Sequence, residues 1–283
     1  MKEKKLNQKA MLVHLTLSEW RGRARDASVS KEVQVVKEAS NDCGTWWTQL
    51  LPKWALKNVR TAHHRCRAVH NHYTLPWQDG GYRILPAPMF MEYSKQMRKA
   101  SQAYDDAVDA FVKEYPKVKE RAIKRLGKLA DTVELPTAEQ LRGKFGHKTE
   151  ILPLPDAGDF RVEMAGAEVE RIKKQIQSSV EETTKKAVSS VWEQLKELVS
   201  KVEETMGEPD KRFRNTLISN LAEYCDLIPK FNLTEDDKLT EVRKEVMTKL
   251  ATLQPDDLRE DKKDRKAARK AAQDVLNKMQ MYA

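Results

Sequence analysis

The chain has 283 residues, with 52 Lys and Arg against 43 Asp and Glu, for a formal charge of +9. Charged residues make up 34% and the apolar class 40%, enough to bury a core, so a wholly disordered chain is excluded. Ten Gly and 11 Pro exclude collagenous and linker-dominated chains, and no apolar run reaches the ~18 residues of a membrane-spanning helix.

The start, Met1 to Lys9, is basic, and the short apolar stretch that follows is interrupted by His14 with no small-residue cleavage site after it. A secretory signal is therefore not expected. Met11 to Leu17 is a strand candidate. Ser30 to Trp54 reads as helical, with Val33, Val36 and Leu50 on its apolar side, and Lys57 to His70 as a second, basic helix after Pro52. His72 to Trp77 and Tyr82 to Leu85, joined by Asp79-Gly80-Gly81, form a hairpin signal, with Pro76 confining the first run to a sheet edge. Pro88 to Tyr115 has helical spacing, and Pro116 is expected to open a separate helix ending near Leu129. A short helix follows Leu135-Pro136, with Thr137 as its cap. Leu152-Pro153-Leu154-Pro155 cannot be a helix interior, and Asp159 to Met164 alternates as a strand does.

The clearest periodicity lies further on. Val169, Val180, Val191 and Val202 are spaced by eleven, and the apolar stripe through them advances about 3.67 residues per step. A helix from Ala167 to Met206 would be ~60 Å long. Such a length must pair with another helix of this chain or with a second copy, so self-association is expected. Gly207 and Pro209 end it. Asp210–Cys225, Thr234–Leu253 and Asp256–Met281 read as three more helices, divided by Pro229 and Pro255. The expected class is mainly α (α+β), with a small antiparallel sheet near the N-terminus and a long helical hairpin or coiled-coil region. The natural division is a basic module over 1–165 and a long-helix region over 166–283.

Charge is unevenly spread. Residues 1–90 hold 15 Lys or Arg against 7 Asp or Glu, and five of the six Trp and five of the six His. No phosphate-cradling glycine loop, dinucleotide fingerprint or nucleophile elbow is present, so no enzyme and no cofactor are expected. His63, His64, Cys66, His70 and His72 form the one metal-like cluster. Its spacing fits no standard zinc site, and Arg65 and Arg67 would set positive charge beside a cation. Cys43, Cys66 and Cys225 are too few and too scattered for a disulfide framework and read as reduced, cytosolic thiols. The stronger pattern is aromatic rings among cations: Trp46, Trp47 and Trp54 lie near Lys53, Lys57, Arg60, Arg65, Arg67 and Arg83. Cations neutralise phosphates and exposed rings stack on unpaired bases, which suits a single strand more than a duplex. Trp47 and Trp54 are expected to serve mainly as packing residues, as tryptophans more often do. A second basic block, Lys262, Lys263, Lys266 and Arg269, offers further phosphate contacts or is a solvated helix end.

Trp77 to Pro86, then Leu135 to Phe145, then Leu152 to Val162 carry a resemblance. Together they look like a domain-of-unknown-function family common in tailed bacteriophages, in an order that matches over roughly residues 10–250. One protein type of that family is a single-stranded DNA-binding cofactor of a phage RNA polymerase. The resemblance implies a non-enzymatic single-strand binder acting in phage transcription, in the host cytoplasm, with a phage RNA polymerase as partner. The alternative is a helical scaffold or adaptor of a phage ATPase complex with no direct DNA contact. The resemblance transfers no binding residue.

Overall fold

The structure, a computed structural model, describes residues 6–77, 81–159, 166–208 and 213–282. It is mainly helical, with a small antiparallel sheet formed largely by N-terminal segments. In chain order the elements are α1 (Leu6–Lys9), β1 (Ala10–Ser18), β2 (Arg23–Arg25), α2 (Ala27–Val36), β3 (Trp47–Gln49), α3 (Lys57–Tyr73), β4 (Leu75–Pro76) and β5 (Tyr82–Pro86). These are followed by α4 (Phe90–Leu126), α5 (Ala138–Arg142), β6 (Gly146–Pro153), α6 (Gly166–Gly207), α7 (Thr216–Phe231), α8 (Asp237–Lys249), α9 (Asp257–Glu260) and α10 (Lys262–Tyr282). The four-stranded sheet has the order β4-β5-β1-β6, and β2 and β3 form a separate two-stranded ribbon.

Contacts group the chain into two compact units, each discontinuous in sequence. The first comprises Met1–Val13, Thr74–Phe90 and Ile151–Ala283; the second comprises His14–Tyr73 and Met91–Glu150. We call them the helical unit and the basic unit.

In the helical unit, α6 packs on α7 and α10, and α8 packs on both. The eleven-residue stripe explains this: Thr183, Ala187, Val191, Leu195 and Val202 are buried, as are Leu221 and Ile228 of α7 and Ala272 and Val275 of α10. The pairing required by a 42-residue helix is thus met over its C-terminal half within one chain. The β4–β5 hairpin is antiparallel, pairing Leu75 with Ile84 and Pro76 with Arg83. Pro76 sits on the edge strand, where a missing N–H costs no ladder bond. The hairpin tip and most of the strand expected over 159–164 lie outside the described residues.

In the basic unit, α3 turns Val59, Ala62, Cys66 and His70 inward. α4 does the same with Tyr93, Met97, Tyr104, Val108, Phe111 and Tyr115. His70 Nδ1 lies 3.0 Å from Tyr93 Oη, joining the two helices. The Tyr104 hydroxyl donates to Ser18 O at 2.6 Å and so ties α4 to the end of β1. α5 begins with the expected cap, made reciprocal by Gln140: Gln140 N donates to Thr137 Oγ1, and Thr137 N to Gln140 Oε1.

Three expectations are corrected. The helix expected over 30–54 stops at Val36; Val33 and Val36 are exposed, and Leu50 is buried from a different segment. The physical reason is the polar run Ser40-Asn41-Asp42-Cys43-Gly44, which turns the chain back to form β3. Pro116 does not start a helix; α4 runs through it, because buried side chains on both flanks (Phe111, Tyr115, Val118, Ala122) hold the turn that Pro116 weakens. Pro229 likewise lies inside the last turn of α7 rather than between helices. β6 is in addition a strand over a segment for which no element was expected, because it has no strand-like apolar alternation.

Candidate nucleic-acid interface

The β2–β3 ribbon is antiparallel, with Arg25 opposite Trp47, Ala24 opposite Thr48 and Arg23 opposite Gln49. Side chains alternate across a strand. Thr48 is buried, whereas Arg23, Arg25 and Trp47 are exposed, so one face of the ribbon carries two cations and an indole. The Arg23 guanidinium carbon lies 4.8 Å from the centre of the Trp47 ring, a cation–π stack.

Asp26 holds this face outward from behind. It is fully enclosed, caps α2 through Val29 N at 3.0 Å, and accepts from Thr48 Oγ1 at 3.0 Å and Thr132 Oγ1 at 2.7 Å. Burial alone would raise its pKa, but bonds from Val29, Thr132 and Thr48 outweigh it and hold the carboxyl below the ordinary aspartate value. Its backbone completes the frame. Asp26 N donates to Trp46 O, and Ser30 Oγ, itself bonded to Asp26 O, accepts from Trp46 N at 2.9 Å. Both neighbours of Trp47 are therefore fixed from inside, which leaves its ring on the outer face. Gly22 turns the chain into β2 at φ +67°, and its carbonyl accepts from Leu50 N at 2.8 Å. A Cβ there would come within 3.1 Å of Leu56 Cδ1 in a backbone region that favours glycine.

Further cations are tied to the ribbon by hydrogen bonds. Arg60 Nη2 donates to Arg21 O at 3.1 Å, and Arg125 Nη2 donates to Gln49 O. Arg60 begins a stripe. At ~100° per residue, Lys57, Arg60, His64 and Arg67 share one flank of α3, away from the buried face. Before α3, a turn closed by Ala55 N to Pro52 O and Lys57 N to Trp54 O exposes Lys53 and Trp54. Among the described residues, none of Arg21, Arg23, Arg25, Lys53, Lys57, Arg60, Arg67 or Arg125 has a carboxylate within 4.0 Å. Trp46, Trp47 and Trp54 are 47%, 51% and 53% exposed, so the packing role considered for Trp47 and Trp54 does not describe them.

The remaining candidates belong neither to the ribbon nor to this flank. Arg65 lies on α3 roughly 160° from Arg67. Arg83, in the helical unit, is partly buried and committed to Thr74, with Nε on Oγ1 at 2.6 Å and Nη2 on the carbonyl at 2.8 Å. Burial pushes its pKa down. Arg83 is thus a strand clamp rather than an open phosphate contact. Arg269 is likewise occupied, by Glu203 at 2.8 Å. Near it, buried Arg265 donates to Thr205 O and Glu208 O at the C-terminal end of α6, where cations are favoured. Lys262, Lys263 and Lys266 are exposed and without an ion pair among the described residues, but they too belong to the helical unit.

The histidine cluster does not converge. Among the described residues no three His, Cys, Asp or Glu side chains are grouped to hold a metal ion. His70 faces Tyr93, and His72 packs edge-on against Tyr73. Burial, with Asp105 adding to it, pushes the Cys66 thiol up, so it stays protonated near neutrality and is a poor nucleophile. Sequence reasoning missed Arg21, Arg23, Arg25 and Arg125. The first three form an alternating Arg-x-Arg-x-Arg, a periodicity-two signal that was present; Arg125 joins only by tertiary structure.

No family model, curated protein or solved structure matches the chain. Among the described residues, no helix is long and apolar enough to cross a membrane.

Proposed function

We propose that the basic unit binds single-stranded DNA without catalysing a reaction, along a track from the β2–β3 ribbon onto the Lys57–Arg60–Arg67 flank of α3. The observation that carries this is a row of cations with no carboxylate partner among the described residues, beside half-exposed indoles, Trp47 already stacked under Arg23. Unpaired phosphates supply the missing counter-charge, and the indole offers a base a stacking surface. A duplex hides its base faces and would use only the charges. The family resemblance extends the proposal to an accessory role beside a phage RNA polymerase, in the cytoplasm of an infected host.

The test is fluorescence anisotropy with an unstructured oligonucleotide and its duplex at several salt concentrations. The single strand should bind more tightly. Each phosphate contact contributes about 0.7 to the slope of log K against log salt, so Arg23→Ala with Arg25→Ala should flatten it by about 1.4. Trp47→Ala should cost roughly 1–3 kcal/mol of affinity. Unchanged binding in both variants, or equal affinity for the duplex, would remove the ribbon from the site. No binding at any salt would leave a helical adaptor.

A further inference from the structure

Bordering the ribbon, within the basic unit, lies an open concavity of about 670 Å³ whose lining includes Trp20, Arg23, Glu134, Gln140 and Lys144. Its walls are built, not incidental. Trp20 is half-buried and held edge-to-face against Tyr115, with ring centres 6.3 Å apart at 80°. Tyr115 Oη donates to Pro136 O at 3.0 Å, and Lys119 Nζ to Leu135 O at 3.2 Å, which fixes the segment between Glu134 and Gln140. Gln140 spends its Oε1 on the α5 cap, and among the described residues its Nε2 has no protein acceptor. Glu134, exposed, forms no ion pair among the described residues. Arg23 belongs to both places, stacked on Trp47 at the ribbon and lining the concavity.

We propose that this concavity is a nucleotide subsite that takes one unstacked nucleotide of the bound strand. It rests on the single-strand binding proposed above and adds a base preference to it. The volume lies in the range of small-molecule pockets. The indole of Trp20 supplies an apolar wall for the base, and Arg23 and Lys144 supply positive charge for its phosphate. Glu134 is an acceptor and therefore favours a base that presents an amino group, as cytosine does through N4; thymine offers O4 instead, a second acceptor facing a carboxylate. The chemistry selected is an amino-bearing base, and oligo(dC) against oligo(dT) separates it from a plain stacking surface.

The experiment measures binding of the full chain to oligo(dC) and oligo(dT) of equal length at fixed salt, with Glu134→Ala and Lys144→Ala alongside. Both substitutions lie on exposed side chains. The wild type should prefer oligo(dC) by about five-fold or more. Glu134→Ala should abolish that preference, whereas Lys144→Ala should weaken both oligonucleotides together. Equal binding of the two oligonucleotides by the wild type, with the salt dependence intact, overturns the subsite and leaves the ribbon track standing. A preference that survives Glu134→Ala overturns it as well. If dCMP alone binds as tightly as the oligonucleotide, the concavity is a free-nucleotide site and the in-strand assignment falls. Failure to bind any oligonucleotide overturns both proposals.

Discussion

Asp26 shows how one enclosed carboxylate organises an exposed face. It caps α2, anchors Thr48 and receives Thr132, while its backbone and Ser30 hold Trp46. Replacing it with Ala strips the cap and leaves a buried threonine hydroxyl without its acceptor, a loss of about 2–4 kcal/mol. Asn keeps a cap oxygen and should lose less. A pH dependence distinguishes the two effects. The folded-state pKa of Asp26 is lowered, so its contribution is present above the ordinary aspartate pKa of ~3.9 and is lost as pH falls through the folded value. Chemical denaturation between pH 6 and pH 3 should therefore show a steeper fall in stability for the wild type than for Asp26→Asn. Parallel curves would mean that the hydrogen bonds contribute nothing to its ionisation. None of this was visible beforehand: an Asp before Ala27-Ser28-Val29 reads as a helix cap at most, and its partners Thr48 and Thr132 are distant in sequence.

At the scale of elements, what the sequence revealed followed the strength of the local pattern. β1, the hairpin strands β4 and β5, α3, α5 and α6 were legible because each carries a repeating apolar period or a specific turn or cap. The β2–β3 ribbon was not, since three-residue strands reading Arg-Ala-Arg and Trp-Thr-Gln carry no apolar period, only a short alternation of arginines, and are fixed by Asp26, Gly22 and their mutual register. Half of the candidate site was therefore legible as composition, the tryptophans and α3 cations, while its geometry depended on a pairing that only the fold reveals. α4 makes the opposite point, where a strong local signal lost to tertiary packing. Pro116 is exposed and interrupts the hydrogen-bond ladder, yet the helix continues because Phe111 and Tyr115 before it and Val118 and Ala122 after it are all buried. Pro116→Ala restores an N–H for the Val112 carbonyl and should raise the thermal midpoint, by up to ~3 kcal/mol in stability terms. An unchanged or lowered midpoint would show that the fold has adapted to a bend at that position.

Across the whole molecule the charge excess follows the units more sharply than the sequence order. The basic unit holds 23 Lys and Arg against 15 Asp and Glu, a net of +8, while the helical unit holds 29 against 28, a net of +1. The local pairing differs in the same direction. In the helical unit Lys278 is shared by Glu241 and Glu245 at 2.8 and 3.0 Å, Arg269 meets Glu203, and Lys9 meets Glu235 at 2.6 Å. The ribbon and the α3 flank have no such partners among the described residues. A polyanion gains most where it replaces no existing ion pair, because only then does each contact release a counterion without breaking a salt bridge. The C-terminal Lys262, Lys263 and Lys266 are the informative exception, exposed and unpaired among the described residues but set in the nearly neutral unit. If the basic unit alone carries the strand, replacing all three with Ala should leave the slope of log K against log salt unchanged, even though the net charge of the chain falls by three. If they contact the strand, the slope should flatten by about 2, at roughly 0.7 per lost phosphate contact. The comparison separates a localised track from attraction to overall charge, since a purely global effect would respond to these lysines as strongly as to Arg23 and Arg25.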